Sequence, residues 1–257
     1  MRVEDGSSGR DIAERLADEK IVGSPLALRV LLRVSGMAGG LQAGVYRFEK
    51  PLSSLEALAV LRAGSPESIA VTIPEGLTLD ETAALFAEAG FGSREEFRVE
   101  FGNVLLLEMH GVTGAATLEG YLFPDTYKFS PRETPARIAQ LMVEQFWSVY
   151  GKLAAENPAP QAVTLTAHQW VTFASLIEKE TRLDDERPVV VSVYANRLRI
   201  CMALQCYPTV IYAMGGLDRP LMRGDLDYDS PYNTYLYAGL PPGPIANPGV
   251  QSLAAAV

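Results

Sequence analysis

Ser68-Ile-Ala-Val-Thr-Ile-Pro-Glu-Gly-Leu-Thr-Leu-Asp-Glu-Thr-Ala-Ala-Leu-Phe-Ala87 reads as a strand, a glycine turn and a capped helix. The β-branched run to Ile73 suits extended backbone. Thr78-x-x-Glu81 fits a capping box, in which hydroxyl and carboxylate satisfy each other's backbone N–H. Thr82, Ala83, Phe86 and Ala87 then recur at helical spacing, and Gly90 suits a left-handed helix stop. Ser93-x-x-Glu96 opens a second helix. The same order occurs 70 residues earlier: Val3-Glu-Asp-Gly6, Ser8, then Ile12, Ala13, Leu16 and Ala17, with Ser24-Pro25 opening the next helix. The spacing predicts an internal repeat over 3–31 and 73–101. Between the copies, Ser35-Gly36-x-x-Gly39-Gly40 is a glycine turn and Gly44–Phe48 alternates like a strand. Ser53-x-x-Glu56 opens a helix ended by Gly64.

Helices dominate the rest of the chain. Thr134-Pro135 begins one to about Leu153, and a loop follows over 154–163. Thr166-x-x-Gln169 caps the next, to about Glu180. Asp184 or Asp185 caps a third, from Pro188 to about Arg199. After Ala203 come short pieces, one helical turn near Thr209–Met214, and long Gly/Pro-rich loops. The fold class is therefore α+β: a strand-and-helix region over 1–104, then a mostly helical domain over 105–257. Ten of the 11 tyrosines follow Gly120, which marks the second part as compositionally distinct.

With 257 residues and 48% hydrophobic residues, the chain can bury a core without disulfides or metals. Its net charge of −9, with neither part basic, argues against nucleic-acid binding. No apolar run approaches a membrane span of ~18 residues. Cys201 and Cys206 lack zinc-spaced partners, and only His110 and His168 exist, so no metal site is expected. The two thiols are either free or joined across a short loop. No phosphate-binding glycine motif and no nucleophile elbow occurs.

Three stretches could carry chemistry. In Leu118-Glu-Gly-Tyr-Leu-Phe-Pro-Asp-Thr-Tyr127 a carboxylate precedes a glycine and a bulky apolar run. Burial there would raise its pKa, as a general acid requires, although the local sequence alone favours a surface or capping role. In Ala174-Ser-Leu-Ile-Glu-Lys-Glu-Thr181, Trp170, Phe173, Ala174 and Ile177 form the apolar stripe. Glu178 and Glu180 lie about 200° apart around the helix and cannot share one pocket. On the next helix Asn196 follows Val189 and Val193 on an expected buried stripe, where an amide must be hydrogen-bonded. The tail offers Gln205, Thr209, Tyr232, Asn233, Thr234 and Tyr235, residue types that line sugar-binding walls.

Taken together, these stretches resemble the MltG-type (YceG-like) endolytic murein transglycosylases. The matching motifs are LEGYLFPDTY at 118–127, ASLIEKET at 174–181, NRL at 196–198, LQ-x-x-PTVIY at 204–212, SPYNTY at 230–235 and GLPPGPIANPG at 239–249. The resemblance implies cleavage of the MurNAc–GlcNAc β-1,4 bond in peptidoglycan, leaving 1,6-anhydro-MurNAc ends, with Glu119 as the catalytic residue and no metal or cofactor. It implies glycan contacts from Glu178, Asn196, Gln205, Thr209, Tyr232, Asn233, Thr234 and Tyr235. It further implies a LysM-like region over 1–104, cell-wall synthases as partners, and a place at the outer face of the cytoplasmic membrane. The anchor of that family is not seen in this sequence, so the chain reads as a soluble fragment shortened at its C-terminus. Tyr207 stands where the family often carries an acid. The alternative from another class is a non-catalytic peptidoglycan-binding or scaffold protein of the wall-synthesis machinery. A cytosolic lyase acting on a small acid is disfavoured because no phosphate cradle accompanies Lys179.

Overall fold

The computed structural model describes residues 1–3, 7–34, 44–46, 48, 50–63, 68–156, 165–181 and 183–256. Gly6, the turn at 35–40, Gly64 and most of the 154–163 loop lie outside the described residues. The chain forms two compact units, 1–70 with 128–133, and 71–127 with 134–257.

The first unit runs β1 (Arg2–Val3), α1 (Gly9–Asp18), α2 (Pro25–Val34), β2 (Gly44–Val45) and α3 (Ser54–Ala63). β1 and β2 are antiparallel, with Val3 opposite Gly44. Ile12, Ala13 and Leu16 of α1, Leu28 and Leu32 of α2, and Ala57, Leu58 and Leu61 of α3 form its core around Tyr46. Ser8 and Asp11 close a capping box on α1, and Ser53 and Glu56 exchange the same bonds ahead of α3.

In the second unit the order is β3 (Ile69–Thr72), which begins within the first unit, then α4 (Leu79–Glu88), α5 (Arg94–Phe101), α6 (Leu105–Glu108), β4 (Thr126–Phe129), α7 (Pro135–Glu156), α8 (Ala167–Glu180), α9 (Arg187–Arg199), α10 (Tyr207–Ala213) and α11 (Val250–Ala255). β3 pairs with β4. The α+β reading therefore stands.

At a spacing of 70, Ile12 and Thr82, Ala13 and Ala83, and Leu16 and Phe86 are all buried. Lys20 and Gly90 both take positive φ, 56° and 86°. Ile21 and Phe91 then donate back to the Leu16 and Phe86 carbonyls. The first copy's loop is one residue longer, so Leu28 and Leu32 correspond to Phe97 and Phe101.

The compact units divide near residue 70, and in the second α4 and α5 pack on each other and α5 packs on α7. Two expectations change. α8 is buried all round from Trp170 to Ile177, not along one stripe, because α9, α10 and α11 all pack against it. Asp184 and Asp185 sit in a 3₁₀ turn, and α9 has no side-chain cap.

Candidate active site

Glu119 lies in the turn between α6 and β4. Leu118 N–H donates to the Phe101 carbonyl at 2.8 Å, seating the turn on the end of α5. Gly120 holds φ +85°, and a Cβ there would meet Pro244 at 2.5 Å and Val171 at 2.9 Å. Only glycine fits this backbone next to the acid.

The Glu119 side chain is 5% exposed. Both its oxygens accept from the Leu79 N–H, at 2.9 and 3.1 Å. Leu79 is the first residue of α4, so the carboxyl caps a helix N-terminus, where the free N–H groups and the helix dipole favour negative charge. Thr78 and Glu81 satisfy the neighbouring positions through their own capping box. From α10, the Tyr212 hydroxyl donates to Glu119 Oε2 at 3.2 Å. Burial nevertheless dominates and pushes the Glu119 pKa up to about 8; Leu79 and Tyr212 act against it, and the charge of Glu81 adds to it. Near neutral pH this carboxyl holds a proton while sitting among groups prepared for its anion. That is the environment of a group that gives a proton and takes it back.

Two aromatic rings stand beside it. Tyr212 and Tyr232 have centroids 5.1 Å apart. Burial and the Glu119 charge raise both phenol pKa values, so both keep their protons as donors. A Cβ on Gly243 would lie 3.2 Å from the Tyr232 hydroxyl and 3.5 Å from His168 Nε2. His168 is bonded at both nitrogens, to Tyr121 at 2.9 Å and the Pro242 carbonyl at 3.1 Å. A cavity of about 740 Å³ lies beyond it, lined by His168, Thr166, Thr113 and the Gly239–Pro242 loop. Glu119 is not in its wall.

The expected site residues separate into groups. Tyr232 is brought beside Glu119. Thr209, Asn233 and Thr234 are buried and bonded inside the protein. The Thr209 and Thr234 hydroxyls lie 3.0 Å apart. Asn233 donates to the Leu226 and Tyr228 carbonyls and accepts from Tyr235 N–H. Tyr235 is half-buried, with its ring centroid 5.5 Å from that of exposed Tyr207. Gln205 is exposed, has φ +55°, and donates its N–H to the Thr234 carbonyl. Glu178 accepts the Gly249 N–H at 3.1 Å, while Glu180 on another side of α8 accepts from Tyr194.

Asn196 is corrected: it is exposed and accepts from Arg199. α9 packs through Arg187 and Tyr194 instead, leaving Val189 62% exposed. Arg187 pairs with Asp184 and donates to Ser252. Three consecutive valines fit any face of a helix, so their spacing could not identify the packed one.

Sequence reasoning missed Tyr212, the Leu79 N–H and Asn247. The first and last lie inside quoted motifs, and the second follows from the Thr78–Glu81 cap. Cys201 is exposed and Cys206 buried, and both are free. Among the described residues no cluster could hold a metal, and no helix is long and apolar enough to cross a membrane.

The sequence profile of the YceG-like family matches residues 1–257. An endolytic murein transglycosylase of Bacillus subtilis is 32% identical over 272 aligned residues, covering 100% of this chain and 74% of that protein. One of Streptococcus pneumoniae D39 is 30% identical over 84% of this chain, which spans 44% of that relative. A crystal structure of a YceG-like protein from Listeria monocytogenes superposes with a TM-score of 0.65 at 28% identity, covering 99% of this chain and 88% of that one. With its whole length matched by the family profile and its fold shared with a solved relative, the chain belongs to the YceG-like family.

Proposed function

We propose that this chain is an endolytic lytic transglycosylase that cleaves the MurNAc–GlcNAc β-1,4 bond of peptidoglycan and leaves 1,6-anhydro-MurNAc ends. Two relatives bear the name endolytic murein transglycosylase. The observation that carries the reading is the carboxyl of Glu119, the one buried acid among the described residues, raised to about 8 and lying beside Tyr212. Protonated Glu119 gives its proton to the glycosidic oxygen as the C1–O bond breaks. The C6 hydroxyl of the same MurNAc then bonds to C1, and the Glu119 carboxylate takes its proton. Intramolecular attack needs no activated water and gains from effective concentration.

A hydrolase would need a second carboxylate to serve as nucleophile or base. The two acids on the first turn of α4 are committed elsewhere. Asp80 pairs with Arg94 and Arg98, and Glu81 closes the cap. This favours a one-carboxyl lyase. Tyr232, Tyr235 and Gln205 contact the glycan in this reading, while Thr209, Asn233 and Thr234 stiffen the wall behind them. The first unit, with its strand–helix–helix–strand order, serves as a LysM-like glycan-binding region. The chain acts in the cell envelope, on the outer side of the cytoplasmic membrane.

Purified cell-wall sacculi test the reading. Glu119→Gln should lower fragment release by roughly 10²–10⁴-fold, the range of general acid–base catalysis. Full release by that variant would overturn it.

A further inference from the structure

We propose that Asn247 is a positioning residue for Glu119: its buried amide ties the turn carrying the acid to the N-terminus of α4 that holds the acid's carboxyl. The proposal deepens the reading of Glu119 as the catalytic acid and rests on it.

Asn247 is fully buried. Its Oδ1 accepts from Gly120 N–H at 2.9 Å and Leu122 N–H at 3.1 Å, the two amides just beyond the acid. Its Nδ2 donates to the Leu77 carbonyl at 2.9 Å, one residue before the Thr78 cap. Its own backbone N–H donates to the same carbonyl at 2.8 Å, and its carbonyl accepts Gly76 N–H at 2.9 Å. One side chain therefore sets the separation between Glu119 and the Leu79 N–H. That task needs an acceptor for two converging amides and a donor on the same short group. Asparagine supplies both, aspartate only the first, and alanine neither.

The segment bearing Asn247 is itself held by α8. Ser175 Oγ accepts Ile245 N–H at 3.1 Å, and Glu178 accepts Gly249 N–H at 3.1 Å. Trp170 Nε1 donates to the Leu253 carbonyl at 2.9 Å. Lys179 reaches across to the Gly76 carbonyl at 3.1 Å. The most buried helix of the unit thus fixes Asn247, and Asn247 fixes the acid against α4. Glu178 supports this chain of contacts through Gly249.

The groups that face Glu119 are Leu79 N–H and Glu81 from α4, Tyr212 from α10, and Tyr232 from the loop after it. Loosening the Asn247 bonds lengthens the Leu79 bond, which otherwise favours the anion. The acid then holds its proton to higher pH and sits off the reacting oxygen.

The test uses the full chain with Asn247→Ala and Asn247→Asp, each checked for folding by circular dichroism. Titration of Glu119 is followed by NMR of isotope-labelled glutamate side chains, its signal assigned by its loss in Glu119→Gln. In Asn247→Ala we expect the midpoint to move to higher pH. We also expect kcat on peptidoglycan to fall roughly 10- to 100-fold, with KM held within about twofold. Asn247→Asp keeps the double acceptor and should retain more kcat than Asn247→Ala. An unmoved midpoint with unchanged kcat would overturn the proposal. So would a loss of activity that tracks only the folded fraction. If Asn247→Ala does not fold, Asn247→Asp decides alone: a several-fold lower kcat at unchanged KM supports positioning, and wild-type kcat overturns it. If the wild-type chain forms no anhydro ends, the functional reading fails, while the Glu119 titration still reports whether Asn247 positions it.

Discussion

At Glu119, burial opposes a helix N-terminal amide and a tyrosine hydroxyl, and burial wins. The consequence reaches stability. In an unfolded chain this carboxyl titrates near 4.5, whereas the folded protein holds its proton up to about 8. The folded state therefore binds more protons between those values, and stability falls as pH rises through that window. Glu119→Gln cannot ionise, so it should lose this slope. At pH 9 it should be more stable than the wild type, by on the order of 2–4 kcal/mol. Urea unfolding at pH 4 and pH 9 reads the difference; parallel pH profiles would show that burial does not raise this group. Gly120 is the second decisive residue. Gly120→Ala adds a Cβ 2.5 Å from Pro244 at positive φ, so unfolding measurements should show a loss of roughly 2–4 kcal/mol. The importance of Glu119 was legible only through the assembled motifs. The residues packed against its neighbour Gly120, Val171 and Pro244, are far away in sequence and could not be read from the local motif.

Helix starts were the most legible elements, because a capping box is a local reciprocal bond that four residues determine. α4, α5 and α8 start at the boxes the sequence offers, and Ser53 and Glu56 exchange the same bonds ahead of α3. α9 was legible in extent but not in orientation. Its packing face is set by Arg187 and Tyr194, polar side chains paired with distant partners, while Val189 and Val193 face outward. The α4 cap also serves the site, since Leu79 follows Thr78 directly. Thr78→Ala should cost about 1 kcal/mol of stability. It should also reduce glycan cleavage beyond that loss, because fraying of the first turn withdraws the Leu79 N–H from Glu119. Activity that tracks only the folded fraction would separate the cap from the site. Ser175→Ala leaves the Ile245 N–H unsatisfied in the interior and should cost roughly 1–3 kcal/mol, read by thermal unfolding.

Across the whole molecule, Ala13 and Ala83, and Leu16 and Phe86, share a spacing of 70 and are all buried. The division into compact units near residue 70 has no such local signal. The second copy packs on α7, whose sequence gives no sign of that partnership, so α4 and α5 belong with the helical part. Leu16 is fully buried in the first unit's core, and Leu16→Ala should cost roughly 2–5 kcal/mol there. Hydrogen exchange should then quicken in α1–α3 and leave α8 protected; uniform loss across both units would contradict two separately packed cores. The most direct test of the catalytic account is the mass of the products from a defined glycan strand digested in heavy-oxygen water. We predict new reducing-side ends lighter by one water than hydrolysis gives, carrying no solvent oxygen, and absent with Glu119→Gln. Ends that incorporate the heavy oxygen would contradict attack by the sugar's own C6 hydroxyl.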